Sequence, residues 1–361
     1  MLRKVLPPRR KGPAVVLIGG GAPHRLLPAI RRWSDDITYI TPASDDGGNS
    51  GLLADALGFP PGDVRRSTTG MADKDMQALA DLFPVRFDER FGNLTGYCFG
   101  NIVYCALKMH LESIGAEAAP REVIAAAANL MRSCGRICPA TYERVRLAGE
   151  TWNGKMLHSE VSIGESAQPL HRVWLDPGEA ALAPGVFEVV QDADVIFLGP
   201  TSLYTSLLPI LLVSGFATAL ANTRARRFLI VGVASQTETR HLKTASAHIN
   251  VLHDHFPGLR LFDYVVINAD LPPHRQDLKT EFVVPDPDRV RTMGYIPVMA
   301  DLLCGVDCRR HDASRLVHTI KSVVLTPSTG FKPVSRRYTL PRPYMLRRSF
   351  GSKIGSSSKI G

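Results

Sequence analysis

No apolar run in the 361 residues approaches the roughly 18 that a membrane-spanning helix needs, which excludes such a helix. The run Ala14–Ile18 is too short for the apolar part of a secretory signal, and no small-residue cleavage pattern follows it. The cytosol is therefore the expected compartment. Cysteine is scarce, at six residues, and a reducing compartment would keep all six as thiols. Cys134/Cys138 and Cys304/Cys308 have C-x3-C spacing, but the tighter C-x2-C knuckles of most four-thiolate zinc sites are missing. Buried thiols that pack as small hydrophobes are the expectation.

Acids are missing from both ends. Residues 1–13 carry Arg3, Lys4, Arg9, Arg10 and Lys11 with no carboxylate, and residues 331–361 carry eight cations with none. Removing those thirteen cations from the formal net charge of +9 leaves the body, 14–330, at −4. The basic charge lives in the tails, so nucleic acid is not the expected partner of the folded body. The motif SKIG occurs twice in the last tail, at 352–355 and 358–361, in a Ser/Gly/Lys context. That composition buries too little apolar surface to offset the entropy of ordering, so 331–361 reads as a disordered tail.

What the body does have is alternation. Short apolar runs at 14–18, 37–41, 195–198, 228–233 and 264–268 alternate with helical patterns. The helices are expected at 26–33, 73–83, 102–114, 121–132, 203–212 and 244–255. Strands buried on both faces read as continuous apolar runs, so the pattern predicts an α/β fold with a doubly wound, mainly parallel sheet. Between 151 and 175 the pattern breaks. Val161–Ile163 and His171–Leu175 read as strands around a polar turn, a small antiparallel excursion. Nothing between 14 and 330 reads as a linker, which favours a single ligand-binding domain over those residues.

The unusual polar residues collect at the strand ends. Gly19-Gly20-Gly21 follows the first strand, where glycines admit a ligand to backbone N–H groups at a helix start. The triplet completes neither G-x-G-x-x-G nor the Walker pattern, so alone it carries little weight. Ser44-Asp45-Asp46-Gly47-Gly48-Asn49-Ser50-Gly51 follows the second strand. Its two acids could hold Mg²⁺ or accept hydrogen bonds from sugar hydroxyls, in a run longer than a simple turn requires.

Pro60-Pro61-Gly62-Asp63-Val64-Arg65-Arg66 offers either a structural Asp63–Arg65 ion pair or an arginine fork for phosphate. Asn101, near the start of a helix, is a cap or a ligand-facing amide. After strand 195–198 come Gly199-Pro200-Thr201-Ser202-Leu203-Tyr204-Thr205-Ser206. Capping needs one hydroxyl, and the surplus points to a ligand. Gln236-Thr237-Glu238-Thr239 and Arg309-Arg310-His311-Asp312 complete the set.

In order and spacing, over about 14–320, these motifs resemble the CofD-like superfamily. The similarity is closer to its YvcK group, the gluconeogenesis factors, than to the 2-phospho-L-lactate transferases. Asp45 to Gly51 resembles that group's A-D-D-G-G-S-S-G, and Pro60 to Arg65 its P-P-G-D-I-R. Gly199 to Pro209 resembles G-P-G-S-L-Y-T-S-I-L-P, and Arg310-His311-Asp312 its terminal R-H-D. The resemblance implies a three-layer Rossmann-like fold that binds nucleotide sugars, with a role in cell shape and carbon-source adaptation. By motif it implies ligand contacts at Gly20, Gly21, Asp45, Asp46, Asn101, Ser202 and Arg310, with Thr205 and Lys243 in second rank.

Three positions depart from the group. Its opening G-G-G-T-G is here Gly19-Gly20-Gly21-Ala22-Pro23, which loses a hydroxyl and, at Pro23, an amide donor. The aromatic before its T-A-S is replaced by Leu242-Lys243, and the residue after R-H-D is Ala313.

Three functions follow as alternatives. The first is a regulatory protein that binds a UDP-sugar-like nucleotide diphosphate sugar and signals to a protein partner. The second is a transferase like 2-phospho-L-lactate transferase, in which Asp45 and Asp46 hold Mg²⁺ while an acceptor hydroxyl attacks a diphosphate-activated donor. In the third, the protein interacts through its basic tails. The Asp45–Gly51 loop contains no histidine to act as general base, which favours the first.

Overall fold

In a computed structural model the chain is described over residues 11–271 and 280–326. The strands are β1 (Val15–Ile18), β2 (Ile37–Thr41), β3 (Arg136–Pro139), β4 (Arg146–Thr151) and β5 (Met156–Leu157), then β6 (Leu170–Asp176), β7 (Val195–Leu198), β8 (Arg226–Ile230), β9 (Tyr264–Asn268) and β10 (Ile296–Ala300). Seven of them form one sheet in the order β10-β9-β8-β7-β1-β2-β3. Every neighbouring pair in it is parallel.

The side chains of β1 explain why a continuous apolar run was needed. Val15 and Leu17 enter one hydrophobic core, with Tyr39, Phe197 and Phe228, while Val16 and Ile18 enter the other, with Ile40, Ile196 and Leu198. Both faces are covered, so both alternating sets must be apolar. The result is three layers, helices on each side of the sheet.

The chain builds outward from β1 to β2 and β3, then returns to add β7 on the other flank of β1. The order therefore reverses between β1 and β7. In open α/β sheets such a reversal leaves a crevice at the carboxyl ends of the strands.

The excursion is present but differs from expectation. β5, β4 and β6 form a separate antiparallel sheet, with Gly149 opposite Leu157 and Leu147 opposite Leu175. His171–Leu175 falls within β6, as expected. Val161–Ile163 does not form a strand; it lies in the helix Glu160–Gly164. The reason is a capping box: Ser159 Oγ accepts the Ser162 N–H at 3.0 Å while Ser162 Oγ accepts the Ser159 N–H at 3.1 Å.

Two stretches read as loops are also helices, Gly48–Leu57 and Pro61–Gly70. Pro61 stands at the first helical position, where its missing N–H has no cost. Of the two basic tails, only residues 11–13 are described; 1–10 and 327–361 lie outside the described residues. No single helix among the described residues is long and apolar enough to cross a membrane.

Candidate functional site

The loops after β1, β2 and β7 meet at the reversal point. The Gly20 N–H donates to Thr201 Oγ1 at 3.0 Å, which ties the loop after β1 to the loop after β7. From β2, the Tyr39 hydroxyl donates to the Gly20 carbonyl. Glycine is required there by close approach: a methyl group would sit 2.6 Å from Ser206 Oγ and 2.8 Å from Asp63 Oδ2.

Above this floor is a cavity of about 390 Å³, lined on one side by Asp45, Asp63 and Glu160. Asp63 comes from the first turn of helix Pro61–Gly70 and accepts Arg66 Nη1 at 2.6 Å. Asp45 turns back on its own loop and accepts the Gly47 N–H at 3.0 Å. Glu160 is delivered by the antiparallel excursion, at the start of helix Glu160–Gly164.

Burial pushes Asp63 up to about 6, with Arg66 opposing the rise and Asp45 adding to it. Burial, then the neighbouring Asp45, pushes Glu160 up to about 7. Burial raises Asp45 as well. Carboxyls raised in this way hold protons more readily, and in either state they can hydrogen-bond a hydroxyl-bearing ligand.

Hydroxyls stand beside these acids. Ser202 Oγ accepts the Thr205 N–H at 3.1 Å and donates to Glu238 Oε1 at 2.9 Å, so it is a cap. The Thr205 hydroxyl lies between Ser202 Oγ, at 2.8 Å, and the carboxyl of Glu160. Ser206 stands beside it on the cavity wall. The surplus hydroxyls read from the sequence are thus Thr205 and Ser206.

Cations line the cavity as well. Arg25 and Arg66 are among its lining residues, and it shares Ala22, Arg25, Thr201 and Gln236 with a second cavity of about 190 Å³. The second cavity adds Arg309, Arg310 and His311. Both arginines reach Asp307, at 2.9 and 3.0 Å, and remain about half exposed. The larger polar cavity and the smaller arginine-edged one are neighbours at the strand ends, with four lining residues in common.

Of the residues singled out in the sequence, Gly21, Asp45, Ser202 and Thr205 line the first cavity, Gly20 lies at its floor and Arg310 lines the second. Asp46, Asn101 and Lys243 line neither. The Asp46 carboxylate accepts the backbone N–H groups of Glu160 at 3.1 Å and Val161 at 3.3 Å, so it holds the helix that presents Glu160. Asn101 is buried and accepts Arg65 Nε at 3.0 Å. Lys243 is paired with Glu281 on the surface. Asp63 pairs with Arg66 and not with Arg65, because Arg65 points to Asn101.

Sequence reasoning did not single out Glu160, His24 or Arg25. The Ser159…Ser162 capping box was the available signal for Glu160. Asp45 and Asp46 do not converge on one point. Among the described residues no group of three or more His, Cys, Asp or Glu is placed to hold a metal ion.

A larger cavity, about 620 Å³, lies at the opposite, amino-terminal end of the sheet. Its lining combines apolar Ile124, Ala125, Ala128, Ile137 and Val189 with the charged Asp36, Arg121, Arg136, Glu188 and Asp192, but it lacks the run of strand-end hydroxyls at Thr201, Ser202, Thr205 and Ser206. The strand-end crevice is the stronger site on chemistry as well as on topology.

Residues 14–303 match the family model described as 2-phospho-L-lactate transferase CofD. The chain is 32% identical to the gluconeogenesis factor of Bacillus subtilis (strain 168) over 324 residues, 86% of this chain and 98% of that protein. It is also 32% identical over 302 residues, 81% of its length, to a provisionally named gluconeogenesis factor of Nostoc sp., and spans 64% of that relative. A crystal structure of a upf0052 family member from Bacillus halodurans matches with a TM-score of 0.77 at 30% identity, covering 86% of this chain and 99% of that one.

Proposed function

Because the chain belongs to the CofD family and groups with its gluconeogenesis factors, we propose that it binds a nucleotide diphosphate sugar of the UDP-sugar kind. On this reading the ligand is a regulatory signal: the protein works in the cytosol, conveys ligand state to a protein partner, and serves cell shape and carbon metabolism. The observation that carries the ligand class is the split character of the crevice. Arg309 and Arg310 stand at the smaller cavity and Arg25 at both, whereas Asp45, Glu160 and Asp63, the last paired with Arg66, face the larger one. A diphosphate suits the first and a polyhydroxylated sugar the second. A single anion would have no use for three carboxylates, and a neutral sugar none for three guanidinium groups.

The test is thermal unfolding with UDP, GDP and ADP sugars, each with and without Mg²⁺. A ligand at 100 times its Kd adds about 2.7 kcal/mol of stability by mass action. An unchanged unfolding temperature with every one of them at millimolar concentration would refute the proposal.

One observation favours the transferase alternative. Glu160, pushed up to about 7 and facing the cavity, has the proton affinity of a general base at neutral pH. That reading requires turnover. Incubation of a nucleotide diphosphate donor with hydroxyl acceptors should then release nucleotide, and Glu160→Gln should abolish the release while leaving binding partly intact. Binding without release supports the regulatory reading.

A further inference from the structure

A groove of about 790 Å³ adjoins the crevice and shares His24 and Arg25 with its larger cavity. Its lining comes from two stretches of chain, 24–32 and 69–84. The first includes the short helix Leu27–Ile30 and the second the helix Gln77–Leu82. Arg31 Nη1 donates to the Ala72 carbonyl at 2.8 Å and ties the two stretches together.

The charge of this groove runs against that of the body, which is −4 over residues 14–330. Arg25, Arg31, Arg32 and Lys74 line it with a single carboxylate, Asp81, which already accepts Gln77 Nε2 at 2.7 Å. None of the four cations has an ion-pair partner among the described residues, whereas Arg66, Arg132 and Arg136 each have one. Arg25 is held below its ordinary value first by burial and then by Arg310 nearby. Like charges gathered without counter-charges repel one another, and an anionic partner removes that cost.

The lining also indicates the class of partner. The chain's own basic tails carry the wrong sign to fill it. Pro28, Ala72, Ala80 and Pro84 add apolar surface that a phosphodiester backbone has no use for, and no Phe, Tyr or Trp is present to stack a base. An extended acidic polypeptide matches both kinds of surface, because its carboxylates can alternate with small apolar side chains.

We propose that this groove docks an acidic segment of a partner protein, with carboxylates paired to Arg25, Arg31, Arg32 and Lys74. Resting on the nucleotide-sugar reading above, a second consequence follows from Arg25, which serves groove and crevice alike. A diphosphate that takes up the Arg25 charge leaves less of it for the acidic segment. Nucleotide sugar and partner therefore oppose each other, each weakening the other by the same factor.

The experiment measures fluorescence anisotropy of a labelled peptide alternating glutamate with alanine, titrated with the full chain at low salt. The wild type should bind it, and the double variant Arg32→Glu, Lys74→Glu should bind about tenfold or more weakly, the scale of two exposed ion pairs turned repulsive. Both residues are exposed and line neither crevice cavity, so the nucleotide-sugar thermal shift should not change. A control double variant, Lys155→Glu, Arg224→Glu, makes the same change in net charge at exposed positions outside the groove and should bind the peptide like wild type.

No binding by the wild type at millimolar peptide, undiminished binding by the groove variant, or an equal loss in the control would each overturn the docking site. Tighter binding of single-stranded RNA or of anionic vesicles than of the peptide, lost in the groove variant, would overturn the class of partner. A saturating UDP sugar should weaken the peptide several-fold, and unchanged affinity would overturn the link through Arg25. Peptide docking without binding of any nucleotide sugar would refute the nucleotide-sugar reading and leave the docking site standing.

Discussion

Asp63 should destabilise the ligand-free protein at neutral pH, and Asp63→Asn should reveal it. The carboxyl is buried and its value is raised from 3.8 to about 6, burial being the main cause. A raised acid binds its proton more tightly in the folded state than in the unfolded chain. Below pH 4 both states are protonated and the group contributes nothing. As pH rises from about 4 to 6 the unfolded chain releases the proton first, and folding stability falls by about 1.4 kcal/mol per pH unit.

Above pH 7 the loss levels off at about 3 kcal/mol, the product of the shift and that slope. Asparagine mimics the neutral carboxyl and can still accept from Arg66, so the variant avoids most of this penalty. It gives up roughly 0.3–1 kcal/mol of favourable charge near the helix start. Denaturant unfolding at pH 4.5 and pH 8 measures the difference. The variant should be more stable than wild type by about 2 kcal/mol at pH 8 and nearly equal to it at pH 4.5. An equal effect at both pH values, or a loss at pH 8, would show that Asp63 is not held against its desolvation. The same variant should bind a nucleotide sugar about 1–3 kcal/mol more weakly if Asp63 accepts sugar hydroxyls, as the split crevice requires.

Other perturbations separate floor, scaffold and tail. Gly20→Ala should weaken nucleotide-sugar binding at least tenfold in titration calorimetry, because its methyl would press on Ser206 Oγ and Asp63 Oδ2. Wild-type affinity in that variant would show that the floor gives way. Asp46→Ala should cost about 1–2 kcal/mol in chemical unfolding, the range for a lost carboxylate cap on the helix bearing Glu160. A change within 0.3 kcal/mol, on the order of the scatter for surface substitutions, would refute that role. A chain trimmed to residues 14–330 should keep its affinity within tenfold; a larger loss would bring the basic tails into the site and support the tail-mediated reading.

The sequence made the sheet legible where burial was greatest. β1, β2, β7 and β9 are continuous apolar runs because both of their faces are covered, and their bounds fall within a residue of expectation. β8 starts two residues early, at Arg226, whose polar side chain hides the strand start. β3 and β4 carry arginine, glycine and alanine, and their pairing depends on partners far along the chain.

The helices Gly48–Leu57 and Pro61–Gly70 were hidden by turn-type residues in their bodies, Gly48, Asn49, Ser50 and Gly51 in one and Gly62, Asp63 and Ser67 to Gly70 in the other, which discourage a helix by propensity. Tertiary burial of Ala54, Leu57 and Val64 overrides that preference. Within the site, the polar surplus at strand ends pointed to the crevice where the loops after β1, β2 and β7 meet. It did not distinguish a residue that lines the cavity from one that holds a neighbour in place. Asp45 and Asp46 are adjacent in sequence, yet one faces the cavity and the other caps a helix 114 residues away.

The departures in the first loop become intelligible once the crevice is described. Pro23 removes an amide donor and Ala22 lacks the hydroxyl of the G-G-G-T-G pattern, so the loop has fewer neutral donors to offer an anion. The chain supplies guanidinium groups instead. Arg25 follows two residues after Pro23 and lines both cavities, and Arg66 and Arg310 approach from separate elements. The exchange changes the physics of recognition. Backbone amides are fixed dipoles whose attraction is short-ranged and little affected by salt. Arg310, half exposed and sharing Asp307 with Arg309, is a charge that would draw a diphosphate from a distance and is screened within about 8 Å at physiological ionic strength. The larger cavity needs no such reach, because its carboxyls, buried at Asp63 and half-buried at Asp45 and Glu160, would act on hydroxyls at contact. A ligand with a charged middle and a neutral, hydroxylated end meets both requirements in one orientation, diphosphate toward the arginines and sugar toward the acids. Reversing it would set phosphate against Asp45 and Glu160, a repulsion between partly desolvated charges that ranks among the costliest pairings a site can impose.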